Sequence, residues 1–243
     1  MNMEELKNKH FKNIICLTTV DGNDALRARH LASNVLRKRL DEGDLLLFVF
    51  GGKETKGLFP SSVRNESDPL MVFDLHLTCV EDYTLLAQKT YDFIDFCSKN
   101  LSFDRLYKGD DTKEITEKFC DFDHKFKVDF MGVSEQRKRI RLENGTSYWD
   151  RHFLAQEMYK CRVSTFRKWA SRRSITVDAS EFDGGVWYSG WKPYGISKKF
   201  AKAISINGKT YAKLYCDKLG GCEDHMIGKM FTDLKIRYDL KIQ

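Results

Sequence analysis

Leu45-Leu46-Leu47-Phe48-Val49-Phe50 is an unbroken apolar run closed by Gly51-Gly52. A strand with one face in water alternates apolar and polar residues, whereas a short continuous run reads as a strand covered on both faces. Such strands belong to parallel sheets clad by helices. Three more segments fit that setting: Ile14-Ile15-Cys16-Leu17-Thr18, rich in β-branched residues; Leu70-Met71-Val72-Phe73, ending at Asp74; and Phe103 to Lys108, followed by Asp110-Asp111.

Helical patterns separate these runs. Asp24 is placed to cap a helix with apolar positions at Leu26, Leu31, Val35, Leu36 and Leu40, stopped by Glu42-Gly43-Asp44. Thr78 and Glu81 have capping-box spacing ahead of Tyr83, Leu86, Thr90, Ile94 and Cys97, one face of a second helix. The resulting β-α-β-loop-β-α-β order predicts an α/β fold, a largely parallel nucleotide-binding sheet with helices on both faces. Beyond residue 112 the pattern supports fewer elements: a helix within Phe153 to Trp169, a strand at Val186-Trp187-Tyr188, a helix capped by Ser197 through Ala203-Ile204, and another from Asp224 to Leu234. There is no internal repeat and no clear linker, so residues 1–243 read as a single domain.

No window approaches the apolar length needed to span a bilayer, and the opening residues lack the apolar segment of a signal peptide, so a soluble, cytoplasmic protein is expected. The seven cysteines contain no Cys-x-x-Cys, which points to reduced thiols and not to a zinc site or disulfide framework. Charge is uneven. Lys125 to Arg173 holds thirteen Lys or Arg against five Asp or Glu, within a chain of net charge +6. Such a basic stretch suits an anionic partner or serves as a solvated face.

Two acidic pairs carry the chemistry. Asp110-Asp111 follows a strand end, where ligands of open α/β sheets collect, and can hold a divalent cation or cap the next helix. Glu223-Asp224 opens a helix, where a carboxylate can serve as an N-cap or as a proton acceptor. There is no Gly-x-Gly-x-x-Gly turn and no Walker loop, so a bound phosphate needs another source of positive charge. Thr18 and Asp74 end strands on the same side, for base or ribose. Arg27 and Arg29 lie early in the first helix, for phosphate or for the fold, and Lys89 is read as half of an internal salt bridge. Trp187, Tyr188, Trp191 and Tyr194 cluster around Gly190, offering either flat faces for a pyranose ring or core packing.

Several motifs in order resemble the β-1,3-galactosyltransferase and fringe-type glycosyltransferases, a superfamily with the glycosyltransferase-A fold. Asp82 to Thr90 is similar to its helix signature, Lys108-Gly109-Asp110-Asp111-Thr112 to its Lys-x-Asp-Asp-Asp metal motif, Tyr188-Ser189-Gly190 and Tyr194-Gly195-Ile196-Ser197 to its acceptor-side segment, and Glu223 to Gly228 to its Glu-Asp-x-x-x-Gly motif. Thr112 stands where the family has a third Asp, and no histidine follows His225.

The resemblance implies an inverting, metal-dependent transferase moving a sugar from a nucleotide diphosphate donor, UDP above all, to a saccharide hydroxyl. Residues 1–112 form its nucleotide-sugar half and 113–243 its acceptor half. It further implies Mn²⁺ or Mg²⁺ on Asp110 and Asp111, with Asp110 alternatively on the ribose; Thr18, Arg27, Arg29 and Asp74 around the nucleotide; Trp187, Tyr188, Gly190, Trp191, Tyr194 and Glu223 around the acceptor; and Asp224 as base. A bacterial or viral glycan pathway is the expected setting. Two other readings stand beside it: a nucleic-acid-binding protein using residues 125–173, whose runs Arg137 to Arg141 and Arg167 to Arg173 are strongly basic, and an inactive sugar-binding module on the same fold.

Overall fold

A computed structural model describes residues 3–64, 70–82, 85–111, 128–132, 139–141, 147–149, 193–218 and 223–241. In chain order the elements are α1 (Met3–Asn8), β1 (His10–Thr18), α2 (Asn23–Leu36), β2 (Asp44–Phe50), β3 (Gly57–Pro60), β4 (Met71–His76), α3 (Leu86–Asn100), β5 (Ser102–Asp110), β6 (Phe130–Met131), β7 (Arg139–Arg141), β8 (Ser147–Trp149), β9 (Tyr194–Ser197), α4 (Lys198–Lys218) and α5 (Glu223–Leu234).

Seven strands form one mixed sheet in the order β3-β4-β2-β1-β5-β9-β6, and β7 pairs with β8 in a separate antiparallel ribbon. The four central strands, β4, β2, β1 and β5, run parallel, whereas β3 and β9 lie antiparallel to their inner neighbours. The apolar runs are continuous because each strand serves two cores. Ile14, Cys16, Leu45, Leu47, Val49, Phe73 and Leu75 join α3, α4 and α5 on one face. Ile15, Leu17, Leu46, Phe48, Phe50 and Val72 join Ala32 and Leu36 of α2 on the other. Adjacent residues of a strand point to opposite faces, so both must be apolar when both are covered.

Several local expectations need correction. Helix α2 starts from Gly22, whose φ of 130° suits glycine, and no side chain caps it; Asp24 lies inside the first turn. The inner face of α2 is Arg29, Ala32, Ser33 and Leu36, and Leu31 is exposed. Thr78 and Glu81 form no capping box, because α3 begins at Leu86 and Glu81 is held by Lys89. Asp74 stands within β4, not after it, and strand β3, with Pro60 at its end, escaped the sequence pattern. Tyr194 to Ser197, read above as acceptor-side surface, is strand β9, paired with β5 and β6.

Two positions explain how β9 and α4 seat. A Cβ on Gly195 would lie 2.7 Å from Cε1 of Tyr107, so only glycine lets β9 pass that ring. Ser197 caps α4 as its sequence predicts: its Oγ accepts from the Phe200 amide at 3.1 Å and donates to Asp129 Oδ1. Among the described residues, no helix is long and apolar enough to cross a membrane.

Candidate functional site

The chain leaves β1 towards β2 and β4 on one side and later towards β5 on the other, which makes the carboxyl ends of β1 and β5 the topological switch point of the sheet. The parallel register sets Thr18 opposite Asp110, and the next pair, Thr19 and Asp111, continues past the strands. Both contacts are hydrogen bonds. Thr18 Oγ1 donates to Asp110 Oδ1 and Thr19 Oγ1 to Asp111 Oδ2, each at 2.5 Å. The Asp111 amide also donates to the Thr18 carbonyl at 3.3 Å.

Three buried cations surround these carboxylates. Lys108, 1 % exposed, reaches Asp110 Oδ1 at 3.1 Å and Glu223 Oε1 at 2.9 Å. One carboxylate from each of the two acidic pairs found in the sequence therefore meets the other on one ammonium. Burial pushes that ammonium down, but Asp110 and Glu223 outweigh it and hold it above the ordinary lysine value. Arg29, on the inner face of α2, donates from Nη1 to the Val20 carbonyl at 3.0 Å and to Thr19 Oγ1 at 3.4 Å. Lys89 donates to the Thr19 carbonyl at 2.7 Å and pairs with Glu81, confirming the internal salt bridge expected of it. Burial raises the Asp111 carboxyl, the Thr19 hydrogen bond partly offsets this, and Asp110 adds to the rise.

The wall beside them comes from β2 and β4. Phe50 packs edge-on to His76, with the Arg29 guanidinium 4.8 Å and the Lys53 ammonium 5.0 Å from its ring centre. Lys53 also pairs with Asp21 at 2.8 Å and lowers that carboxyl. Burial raises Asp74, with Ser61 acting against it through a hydrogen bond, and lowers His76. Asp74 Oδ1 and Arg29 Nε are buried with no hydrogen-bond partner among the described residues, so this wall holds one spare acceptor and one spare donor.

The structure thus gathers Thr18, Arg29, Asp74, Asp110 and Asp111 at one end of the sheet. Arg27 does not join them. It lies two residues from Arg29, about 200° around the helix, and is exposed beside Asp24. Tyr194 offers no face to a sugar: it is 1 % exposed and packs edge-on against Phe130, and burial raises its hydroxyl well above the ordinary tyrosine value. Glu223 is buried and pairs with Lys108 through Oε1. Asp224 is buried in the first turn of α5. Trp187, Tyr188, Gly190 and Trp191 lie outside the described residues, as does the helix expected within 153–169; of the basic runs, Arg139–Arg141 is strand β7. Sequence reasoning missed Thr19 and the bridging role of Lys108. Both act through tertiary partners more than 90 residues away, and only their proximity to Thr18 and Asp110 hinted at them.

Thr18 and Lys108 share one oxygen of Asp110, and Thr19 takes one of Asp111, so each carboxylate keeps a second oxygen. Two hard oxygens at a strand end fit Mg²⁺ or Mn²⁺, ions that take one or two carboxylates and complete their shell with water and phosphate. Among the described residues no group of three or more His, Cys, Asp or Glu is arranged to enclose a metal. A cation here would therefore rely on its ligand's phosphates. No family model matches the chain, and no curated protein is significantly similar to it.

Proposed function

We propose that the chain is an inverting glycosyltransferase of the glycosyltransferase-A type, taking a sugar from a nucleotide diphosphate, UDP above all, to a saccharide hydroxyl. The observation that carries this reading is the meeting of Asp110 and Glu223 on buried Lys108, which brings the two acidic motifs to one place at the switch point of the sheet. The motif order in the sequence supports it. So do the unpaired Asp74 Oδ1 and Arg29 Nε, an acceptor and a donor of the kind a nucleobase or ribose can satisfy.

Asp110 and Asp111 would hold Mn²⁺ or Mg²⁺, which supplies positive charge against the diphosphate as it departs. Thr18 and Thr19 fix the two carboxylates, and Arg29 and Lys89 keep the β1 end in place behind them. Asp224 is the base in this reading. It takes the proton of the acceptor hydroxyl while that oxygen bonds to the anomeric carbon and the bond to the phosphate oxygen breaks, the electron pair leaving with the diphosphate. It follows Glu223, the partner of Lys108, in the first turn of α5 and is buried there.

The test is release of nucleotide diphosphate from a panel of UDP-sugars with Mn²⁺, with and without simple saccharide acceptors. The reading expects turnover with at least one donor, and in Asp224→Asn a rate lower by roughly 10²- to 10⁴-fold with donor binding retained. Unchanged turnover in Asp224→Asn removes the base assignment. Absence of both nucleotide binding and turnover removes the transferase reading and leaves the basic segment and nucleic acid as the alternative.

A further inference from the structure

We propose that Thr19 is a positioning residue for the ion-holding carboxylate of Asp111; the inference rests on the transferase reading above. A threonine hydroxyl has one proton to give and lone pairs to receive. The Thr19 proton goes to Asp111 Oδ2 at 2.5 Å, and Thr19 Oγ1 itself accepts from Arg29 Nη1 at 3.4 Å. The hydroxyl therefore links a buried cation to the carboxylate, and each bond in such a chain polarises the next.

The two carboxylates are held differently. Asp110 is fixed twice, by Thr18 and by Lys108. Among the described residues, Thr19 is the only side chain that donates to Asp111. What gives Thr19 this authority is its own backbone. Its amide donates to the Val49 carbonyl of β2 at 3.1 Å, and its carbonyl accepts from Lys89 at 2.7 Å. Lys89 is in turn held by Glu81, whose Oε2 accepts from the Gly51 amide at 2.7 Å. Thr19 is 3 % exposed and tied to both β2 and α3, so its hydroxyl sits at a fixed point, and Asp111 takes its orientation from that point. One oxygen is occupied and the other is left for a cation. Partners that orient a ligand in this way commonly govern ion affinity as strongly as some ligands do.

The experiment is a Mn²⁺ titration of the full chain followed by electron paramagnetic resonance of the free ion, at saturating UDP and well below the unfolding temperature. Thr19→Val keeps the volume and removes the donor. Mn²⁺ binding is expected to weaken by roughly ten- to hundredfold in Thr19→Val and to return to within about threefold of the parent in Thr19→Ser. Should the valine variant not fold, Thr19→Ala reads the same loss without added branching. Parent-like Mn²⁺ affinity in the folded valine or alanine variant overturns the inference and leaves the transferase reading standing. Failure of serine to restore affinity overturns it equally, because the hydroxyl is then not the cause. If the parent chain binds no Mn²⁺ with UDP present, the inference falls together with the reading it rests on.

Discussion

Lys108 Nζ and Glu223 Oε1 stand 2.9 Å apart across 115 residues of sequence, both buried, one within β5 two residues before its end and the other opening α5. Asp110 shares the same ammonium. A single lysine thus fixes the start of α5 to the switch point of the sheet, and every chemical role assigned to the Glu223-Asp224 pair depends on that tie.

Breaking the tie from one side should cost far more than removing it whole. Lys108→Met strands Glu223 without a counter-charge, and a loss of roughly 3–5 kcal/mol is expected by urea denaturation. The double variant Lys108→Met with Glu223→Met should recover most of that loss, since an apolar pair of similar size removes the desolvation cost as well as the attraction. A single variant within about 1 kcal/mol of the parent would show that the pair is not buried as described.

Asp74 should make the protein less stable as pH rises. Burial raises its carboxyl, so its folded value lies above the unfolded one. Its contribution is then fully present below the unfolded value, about pH 4, and is lost as pH climbs through the folded value. Asp74→Asn should accordingly be more stable than the parent at pH 7, with the difference vanishing towards pH 4, while UDP affinity falls. Urea denaturation at the two pH values checks the sign; an equal destabilisation at both contradicts it.

Gly195→Ala should destabilise the sheet. The new methyl would lie 2.7 and 2.9 Å from ring carbons of buried Tyr107 and 3.0 Å from Cγ of Met131, and neither neighbour has open space to enter. Overpacking of this kind costs about 1–3 kcal/mol, readable as a lower melting temperature. An unchanged melting temperature would mean that β9 can move off β5.

Ser197→Ala should cost about 1–2 kcal/mol through loss of the α4 cap. The same hydroxyl donates to Asp129, which also accepts the Ser197 amide at 2.9 Å, so the effect should fall at the upper end of that range. Ser197→Asp, which keeps an acceptor for the Phe200 amide but sets a second carboxylate against Asp129, should not rescue stability, as thermal unfolding of the two variants would show.

The four central strands were legible because burial on both faces writes itself as unbroken apolar sequence, as at Leu45 to Phe50. Ser197 and the helix from Glu223 were legible because their signals are local. Helix starts at Gly22 and Leu85 were not, since no side chain caps them and the sequence offered Asp24 and Thr78 as decoys. Tyr194 could be read as a sugar-stacking aromatic near Gly190 or as core, and only the pairing of β9 with β5 decides for the core and shows why Gly195 follows it. For the site, the carboxylates could be read from their place after a strand. Their partners Thr19 and Lys108 could not, because each contact that defines them joins residues far apart in the sequence, Thr19 with Asp111 and Lys108 with Glu223.

The most direct test of the central claim is thermal unfolding of the full chain with UDP, in the presence and absence of Mn²⁺, since a ligand that binds the folded state raises its melting temperature. The account predicts a rise with UDP that requires Mn²⁺ and disappears in Asp111→Asn. No shift with UDP or any other nucleoside diphosphate, metal present or absent, alongside salt-sensitive binding of oligonucleotides, would contradict it.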